Sequence, residues 1–270
     1  MRFPPSRKLK MTILEKIVAD KHKEVALRKE LIPVTQLEQS VLFERTTSSL
    51  AQSLKTGSGI IAEHKRRSPS KSVINNSLSV QDVAIGYKNA GASGMSVLTD
   101  GKYFGGSLDD LLTARAAVQL PLLRKEFIVN EYQILEAKAY GADAILLIAA
   151  TLSRKQIQEF SAFAKSLQLD VLCEAHNAEE VQKSSIVTVD MLGINNRNLK
   201  TFEVSIQTSI DLAAMIPNEF IKVSESGIST IEAIQTLKPY GYKGFLIGEN
   251  FMKTDDPGMS AVEFIKSLNE

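Results

Sequence analysis

Residues 120–150 read LPLLRKEFIVNEYQILEAKAYGADAILLIAA. A short apolar run, LPLLRKEF, leads into a helical stretch, then the phrase AYGADA, then a second apolar run, ADAILLIAA. Both runs are continuous rather than alternating, as expected of parallel strands covered on both faces. Gly141 stands where a helix ends and a left-handed residue is wanted. The stretch is therefore one strand–helix–strand unit. The same turn phrase recurs as NAGASG around Gly91 and PYGYKG around Gly241. Working outward, GIIAEHK, GMSVLTD, DVLCEAH, DMLGINN, FIKVSES and GFLIGEN bring the candidate strands to eight, all from about Ile60 onward.

Alternating strands and helices imply a parallel sheet with right-handed crossovers. Eight units favour closure into a barrel, which typically needs about 250 residues; the chain has 270. An open doubly wound sheet is the competitor, but it wants a glycine-rich fingerprint after its first strand. Here that strand runs into RRSPSK. Helix starts are marked by Ser107 before LDDLLTARAAV, with Asp110 at the capping-box position, and by Ser229 before TIEAIQTL, with Glu232 three residues on. Ahead of the barrel, ILEKIVADKHKEVALRKEL reads as one long charged helix whose apolar residues Ile13, Leu14, Ile17, Val18 and Val25 are helix-spaced. A second helical stretch is expected from Val34 to Leu54. No Gly/Pro-rich linker separates these parts. The expectation is a single α/β domain: a (β/α)₈ TIM barrel over 56–270, with an N-terminal helical extension over 1–55 packed on it.

Bulk properties narrow the function. The formal net charge of +1 gives no whole-molecule field toward nucleic acid or a membrane, so any anion site must be local. The mixed charge of the long helix argues against a membrane-surface role, and no apolar run approaches a membrane span. The start, MRFPPSRKLKMTILEK, lacks the apolar segment of a secretory signal. Cys173 is the one cysteine, which fits a reducing compartment. A cytoplasmic protein without nucleic-acid or membrane partners is expected.

A barrel carries its active site at the C-terminal ends of its strands. That rule selects Glu63, Lys65 and Ser68-Pro69-Ser70 after strand 1, Arg124, Lys125 and Glu126 after strand 3, and Glu174 and His176 after strand 5. It also selects Asn195, Asn196 and Arg197 after strand 6, Ser224, Glu225, Ser226 and Gly227 after strand 7, and Gly248, Glu249 and Asn250 after strand 8. Ionisable groups pointing into a barrel must pair or neutralise, and so many at one end point to function rather than to structural pairing alone. Ser226-Gly227 and Gly248-Glu249 suit a phosphate held on loop amides. Lys65 and Lys125 face each other across the mouth from different strands. Close together and desolvated, they are expected to have lowered pKa values suited to proton donation. Glu63 and Glu174 are carboxylates for base or ion-pair roles. A Schiff-base lysine is the alternative. His22, His64 and His176 are scattered without metal-ligand spacing, and Cys173 reads as core rather than nucleophile.

The segments IIAEHKRRSPSK, SVLTDGKYFGGS, LPLLRKEFIV, GADAILLI, LGINNRNL, VSESGI and LIGENFM, with the helix ILEKIVADKHKEV, resemble the indole-3-glycerol-phosphate synthase family in order along nearly the whole chain, from about Met11 to Leu268. The resemblance implies a step of tryptophan biosynthesis: ring closure, decarboxylation and dehydration of 1-(2-carboxyphenylamino)-1-deoxyribulose 5-phosphate, with no cofactor and no metal. By resemblance Lys125 is the general acid at the substrate carbonyl and Glu174 its acid–base partner. Lys65 binds the substrate carboxylate and is a second candidate donor, Glu63 orients a lysine, and Asn195 and Arg197 position the substrate. Ser226, Gly227, Gly248 and Glu249 form the phosphate loop, Ser68 and Glu225 complete the polar ring, and Phe104 walls the anthranilate ring or, read plainly, is a core aromatic. The partner implied is a phosphorylated small molecule; a monomer is expected, with a weak homodimer as the alternative. The chain departs from the family pattern at His64, at Glu126 where aspartate is expected, and after Lys71 where a glycine is missing. Strand alternation points His64 away from the chemistry. The rivals are another phosphosugar barrel enzyme, such as phosphoribosylanthranilate isomerase, and a catalytically silent phosphate-ligand binder.

Overall fold

The computed structural model describes residues 11–69, 71–199 and 201–270; the reading of residues 1–10 and of Ser70 lies outside the described residues. Among the described residues, three helices precede the first strand: α1 (Ile13–Leu31), α2 (Val34–Glu38) and α3 (Leu50–Thr56). The strands are β1 (Ile60–His64), β2 (Gly94–Leu98), β3 (Leu122–Lys125), β4 (Ala144–Ile148), β5 (Asp170–Ala175), β6 (Met191–Asn195), β7 (Ile221–Glu225) and β8 (Tyr242–Ile247). Between them run α4 (Val80–Asn89), α5 (Gly101–Phe104), α6 (Leu108–Ala117), α7 (Tyr132–Ala139), α8 (Arg154–Ser166), α9 (Ala178–Ser184), α10 (Gln207–Leu212) and α11 (Ile231–Leu237), and the chain ends with α12 (Glu249–Met252) and α13 (Pro257–Asn269). The strands pair in parallel in chain order and β1 closes on β8, so the sheet is a barrel.

Strand alternation divides the core into two layers. Ile61, Leu123, Leu146, Leu172, Met191, Val223 and Leu246 fill the lumen. Ile60, Ala62, Val97, Ile145, Val171 and Cys173 face the helices. Leu50 and Leu54 of α3 join the inner layer, 0% and 2% exposed. A Cβ on Gly94 would strike Leu50, and one on Gly244 would lie 3.1 Å from Leu54. The extension therefore supplies the plug that fills the barrel floor.

Most local expectations match. Ser107 caps α6, accepting from the Asp110 N–H at 3.1 Å, though the Asp110 carboxylate accepts from Arg66 rather than completing a capping box. Gly91, Gly141 and Gly241 have φ of 81°, 85° and 87°, and each donates to the carbonyl three residues back. Three further details differ. The stretch from Val34 to Leu54 is broken into α2 and α3, because Pro33 starts one helix and Ser49 caps the next, accepting from Gln52 N. The cap of α11 is Thr230, not Ser229: its side chain accepts from Ala233 N, so Glu232 falls one position short of a capping box. β8 begins at Tyr242, two residues before the apolar run GFLIGEN.

α1 spans the residues expected of it, and Thr12 and Glu15 form a reciprocal capping box at its start. Its buried stripe is Ile17, Lys21 and Val25, one residue every turn. The lysine in the middle of that stripe is 2% exposed and meets Glu24 at 2.8 Å, Asp100 at 2.9 Å and Glu126 at 3.2 Å.

Candidate active site

A cavity of about 410 Å³ opens at the C-terminal ends of the strands. Of the residues to which the family resemblance gives a role, all but Glu225 line it: Glu63, Lys65, Ser68, Phe104, Lys125, Glu174, Asn195, Arg197, Ser226, Gly227, Gly248 and Glu249. Glu225 stands directly behind, 1% exposed, with Oε2 2.7 Å from Lys125 Nζ.

The acid–base centre is an ion cluster. Glu63 reaches Lys65 Nζ at 2.8 Å through Oε1 and Lys125 Nζ at 3.5 Å through Oε2. Burial works against its charge, but Lys65 and Lys125 outweigh it and hold Glu63 below the usual carboxylate range. The lowered lysine pKa expected from sequence is not what Lys125 has. Burial does oppose its ammonium, but Glu225, Glu63 and Glu174 together exceed that penalty and hold it well above the usual lysine range. Glu225 is the strained member: burial pushes its carboxyl up to about 7 although Lys125 pulls the other way.

Two glycines make this cluster possible. A Cβ on Gly248 would come within 2.5 Å of Glu63 Oε1, and one on Gly193 would collide with Glu225 Oε1. Neither position announces itself in the sequence as more than turn or strand chemistry.

The remaining walls differ in character. On one side, Ile13, Leu14 and Ile17 of α1 join Leu98, Phe104 and Phe127. Phe104 and Phe127 pack with ring centroids 5.9 Å apart, and Phe104 is held in place because Asp100 caps α5, accepting from Tyr103 N at 2.6 Å and Phe104 N at 3.2 Å. On another side, Ser226, Gly227, Ile228 and Ser229 after β7 face Gly248, Glu249 and Asn250 after β8, with Arg197 and Lys253 nearby. Ser226 and Gly227 both sit in the left-handed region, with φ of 67° and 76°, and a Cβ at Gly227 would strike Val204. Lys71 reaches across to Glu249 at 2.8 Å.

Sequence reasoning missed the three apolar residues of α1, Lys253, and the role split at Asn195-Asn196. Asn195 lines the cavity and accepts from Arg197 N at 3.0 Å, whereas Asn196 is 2% exposed and braces β6 to β7 through Ser224 and Ser226 and to α10 through Ser209. His64 points among the helices as alternation requires; burial, then Arg66, lowers its pKa to about 4. Glu126 is fully engaged, accepting from Thr99 Oγ1 at 2.8 Å and meeting Lys21. Cys173 donates to Ser184 Oγ, and burial pushes its thiol up to about 12, which suits core rather than nucleophile.

The family model for indole-3-glycerol phosphate synthase matches residues 14–264. The chain belongs to the indole-3-glycerol-phosphate synthase family. It is 46% identical over 257 residues to the indole-3-glycerol phosphate synthase of Bacteroides thetaiotaomicron, covering 95% of this chain and 98% of the relative. It is 40% identical over 258 residues to that of Bordetella pertussis, covering 94% and 98%. Among solved structures, thiamine phosphate pyrophosphorylase from Pyrococcus furiosus superposes with a TM-score of 0.60 at 14% identity, over 82% of this chain and 98% of that one. A tryptophan synthase complex chain from the same organism gives 0.58 at 15%, over 79% and 98%. At such identities the likeness is one of barrel fold alone. An indole-3-glycerol-phosphate synthase is a carboxy-lyase. Among the described residues, no helix is long and apolar enough to cross a membrane.

Proposed function

We propose that this chain turns 1-(2-carboxyphenylamino)-1-deoxyribulose 5-phosphate into indole-3-glycerol phosphate with Lys125 as the proton donor for ring closure. The single observation that carries this reading is the ammonium of Lys125 held between Glu225 and Glu63 inside a cavity with one apolar and one phosphate-suited wall. The anthranilate ring belongs against Ile13, Leu14, Ile17, Phe104 and Phe127. The phosphate belongs at Ser226-Gly227 and Gly248-Glu249, where barrels of this kind often hold one, with Arg197 and Lys253 supplying charge.

The ring carbon attacks the ketone, and charge develops on its oxygen. An alkoxide in formation is more basic than the amine that Lys125 would become, so Lys125 serves as donor even with its raised pKa. Its fixed positive charge also stabilises the oxygen before the proton moves. Loss of carbon dioxide restores the aromatic ring and asks little of the protein. Dehydration then needs an acid at the hydroxyl and a base at the neighbouring carbon. Glu174 acts there as the acid–base partner, Lys65 holds the substrate carboxylate, and Glu63 aligns both lysines. Asn195, Arg197 and Ser68 position the substrate, and Glu225 holds Lys125.

The chain is proposed to act as one unit, a barrel over 56–270 with its extension over 1–55, and as a monomer, since one chain supplies every wall named above. A cytoplasmic setting is proposed on the reduced, buried thiol of Cys173. The test is a cofactor-free assay of the purified chain with the carboxyphenylamino-deoxyribulose phosphate, following indole fluorescence. Turnover is expected; a folded chain that binds the substrate without converting it would instead be a silent binder.

A further inference from the structure

The proposed reaction consumes a proton. Two protons go onto the former ketone oxygen, one on ring closure and one as it leaves as water, and one proton leaves the carbon beside the nitrogen. The substrate carboxylate departs as neutral carbon dioxide, so one proton per turnover comes from solution. The residue behind Glu174 has the geometry to hold it.

His176 follows Glu174 by two residues, on the same side of the β5 line, and does not line the cavity. Its Nδ1 lies 3.1 Å from Glu180 Oε2, which also accepts the His176 backbone N–H at 2.8 Å. Glu180 is itself fixed by Asn177, which caps α9 and bonds both its backbone and its carboxylate at 2.9 Å. The ring is thereby pinned with Nε2 buried, without a hydrogen bond, 3.5 Å from Glu174 Oε1. A neutral ring donating from Nδ1 to Glu180 would turn the Nε2 lone pair on carboxylate lone pairs. A doubly protonated ring turns an N–H on them. The geometry therefore selects the imidazolium.

The acidic surroundings agree. Glu174 on its own strand, Glu180 on α9 and Glu225 on β7 face the ring, and Lys125 lies beyond Glu225. Burial opposes the charge, but Glu180, Glu174 and Glu225 outweigh it and hold the imidazole above its ordinary 6.5.

We propose that His176 is a proton store that acts through Glu174. The Nε2–H bond breaks as an O–H bond forms on the Glu174 carboxylate, leaving a neutral imidazole whose Nδ1–H still donates to Glu180. Glu174, now the neutral acid, passes that proton to the departing hydroxyl, while Lys125, left as a neutral amine by ring closure, takes the proton from the carbon beside the nitrogen and regains its charge. Once product leaves, water reprotonates Glu174 through the open mouth, and the proton returns to Nε2. His176 touches no substrate, so it is a positioning residue in this scheme. The proposal rests on the reaction proposed above.

The test is the pH profile of kcat for the full chain and two variants, His176→Gln and Glu180→Gln, with KM measured alongside. The imidazolium is present below its pKa and lost above it, so the wild type should show an alkaline limb above pH 6.5. In His176→Gln that limb should vanish and kcat at pH 7 should fall roughly tenfold or more, with KM nearly unchanged. Glu180→Gln should move the alkaline limb to lower pH, because one stabilising carboxylate is gone. This second variant decides the matter if the first folds poorly. Profiles superimposable on the wild type in the folded variants would overturn the proposal alone. A wild-type chain with no turnover at any pH would overturn the underlying reaction and the proposal with it.

Discussion

Glu63 and Glu225 set the chemistry of the site by what they do to Lys125. The sequence places the right residue types at the strand ends, because barrel geometry fixes which positions face the mouth. It does not reveal their partnerships. Two lysines read alone predict mutual repulsion and lowered pKa values; with Glu225 at 2.7 Å and Glu63 at 3.5 Å the sign reverses. Glu225 was legible as a member of a polar ring but not as the main partner of Lys125, and the need for Gly193 and Gly248 beside these carboxylates is visible only in three dimensions. The Glu225 carboxyl titrates near 7, raised by burial. It is protonated below that value and ionised above it, so its charge on Lys125 is lost as pH falls. Turnover is therefore expected to decline on the acid side of pH about 7 in the wild type. Glu225→Gln should abolish that acid limb in a kcat–pH profile; its persistence would assign the limb to another group.

At the scale of elements, the extension carries two separate duties. α1 was legible in length and position, yet its function was hidden, since Lys21 reads as polar in any apolar pattern. That side chain ties α1 to Asp100, which caps α5 and so holds Phe104, and to Glu126, the neighbour of Lys125. Lys21→Ala would leave buried Asp100 without its cation and Glu126 with Arg124 alone at 3.7 Å, and a loss of roughly 3–5 kcal/mol is expected in denaturant unfolding. A loss below about 1 kcal/mol, the range of exposed pairs, would mean that the network does not anchor the helix. α3 has the other duty. Its Leu50 and Leu54 plug the floor, a role that an apolar spacing of four cannot distinguish from ordinary surface packing. Two truncations separate the duties. Removing residues 1–32 deletes Ile13, Leu14 and Ile17 from the cavity and should raise KM about tenfold or more, from lost apolar contact of roughly 1.5–3 kcal/mol per side chain. Removing residues 1–55 also deletes the plug, and a marked further fall in melting temperature is expected. Equal melting temperatures for the two truncations would contradict the plug.

Across the whole molecule, the barrel itself was the most legible feature. Continuous apolar runs, helix caps and a turn phrase used three times all agree on one answer, and each of the eight strands falls on a run read in advance, with β8 alone starting early. What escaped was the broken second helix, the cap at Thr230, the charge of Lys125 and the ring of His176. The first two turn on which of several nearby polar or proline residues takes the cap, the ring of His176 on contacts within its own strand end and helix start, and only the charge of Lys125 on partners distant in sequence. The net charge of +1 hides a concentrated field at one end, where three carboxylates surround one ammonium. The account stands on that ammonium as the proton donor. The most direct measurement is kcat of Lys125→Ala in the indole-forming assay, with the fold checked by circular dichroism. A loss of roughly 10³-fold is predicted for removal of a general acid that also stabilises the developing charge; a folded variant within about tenfold of the wild type would contradict the account.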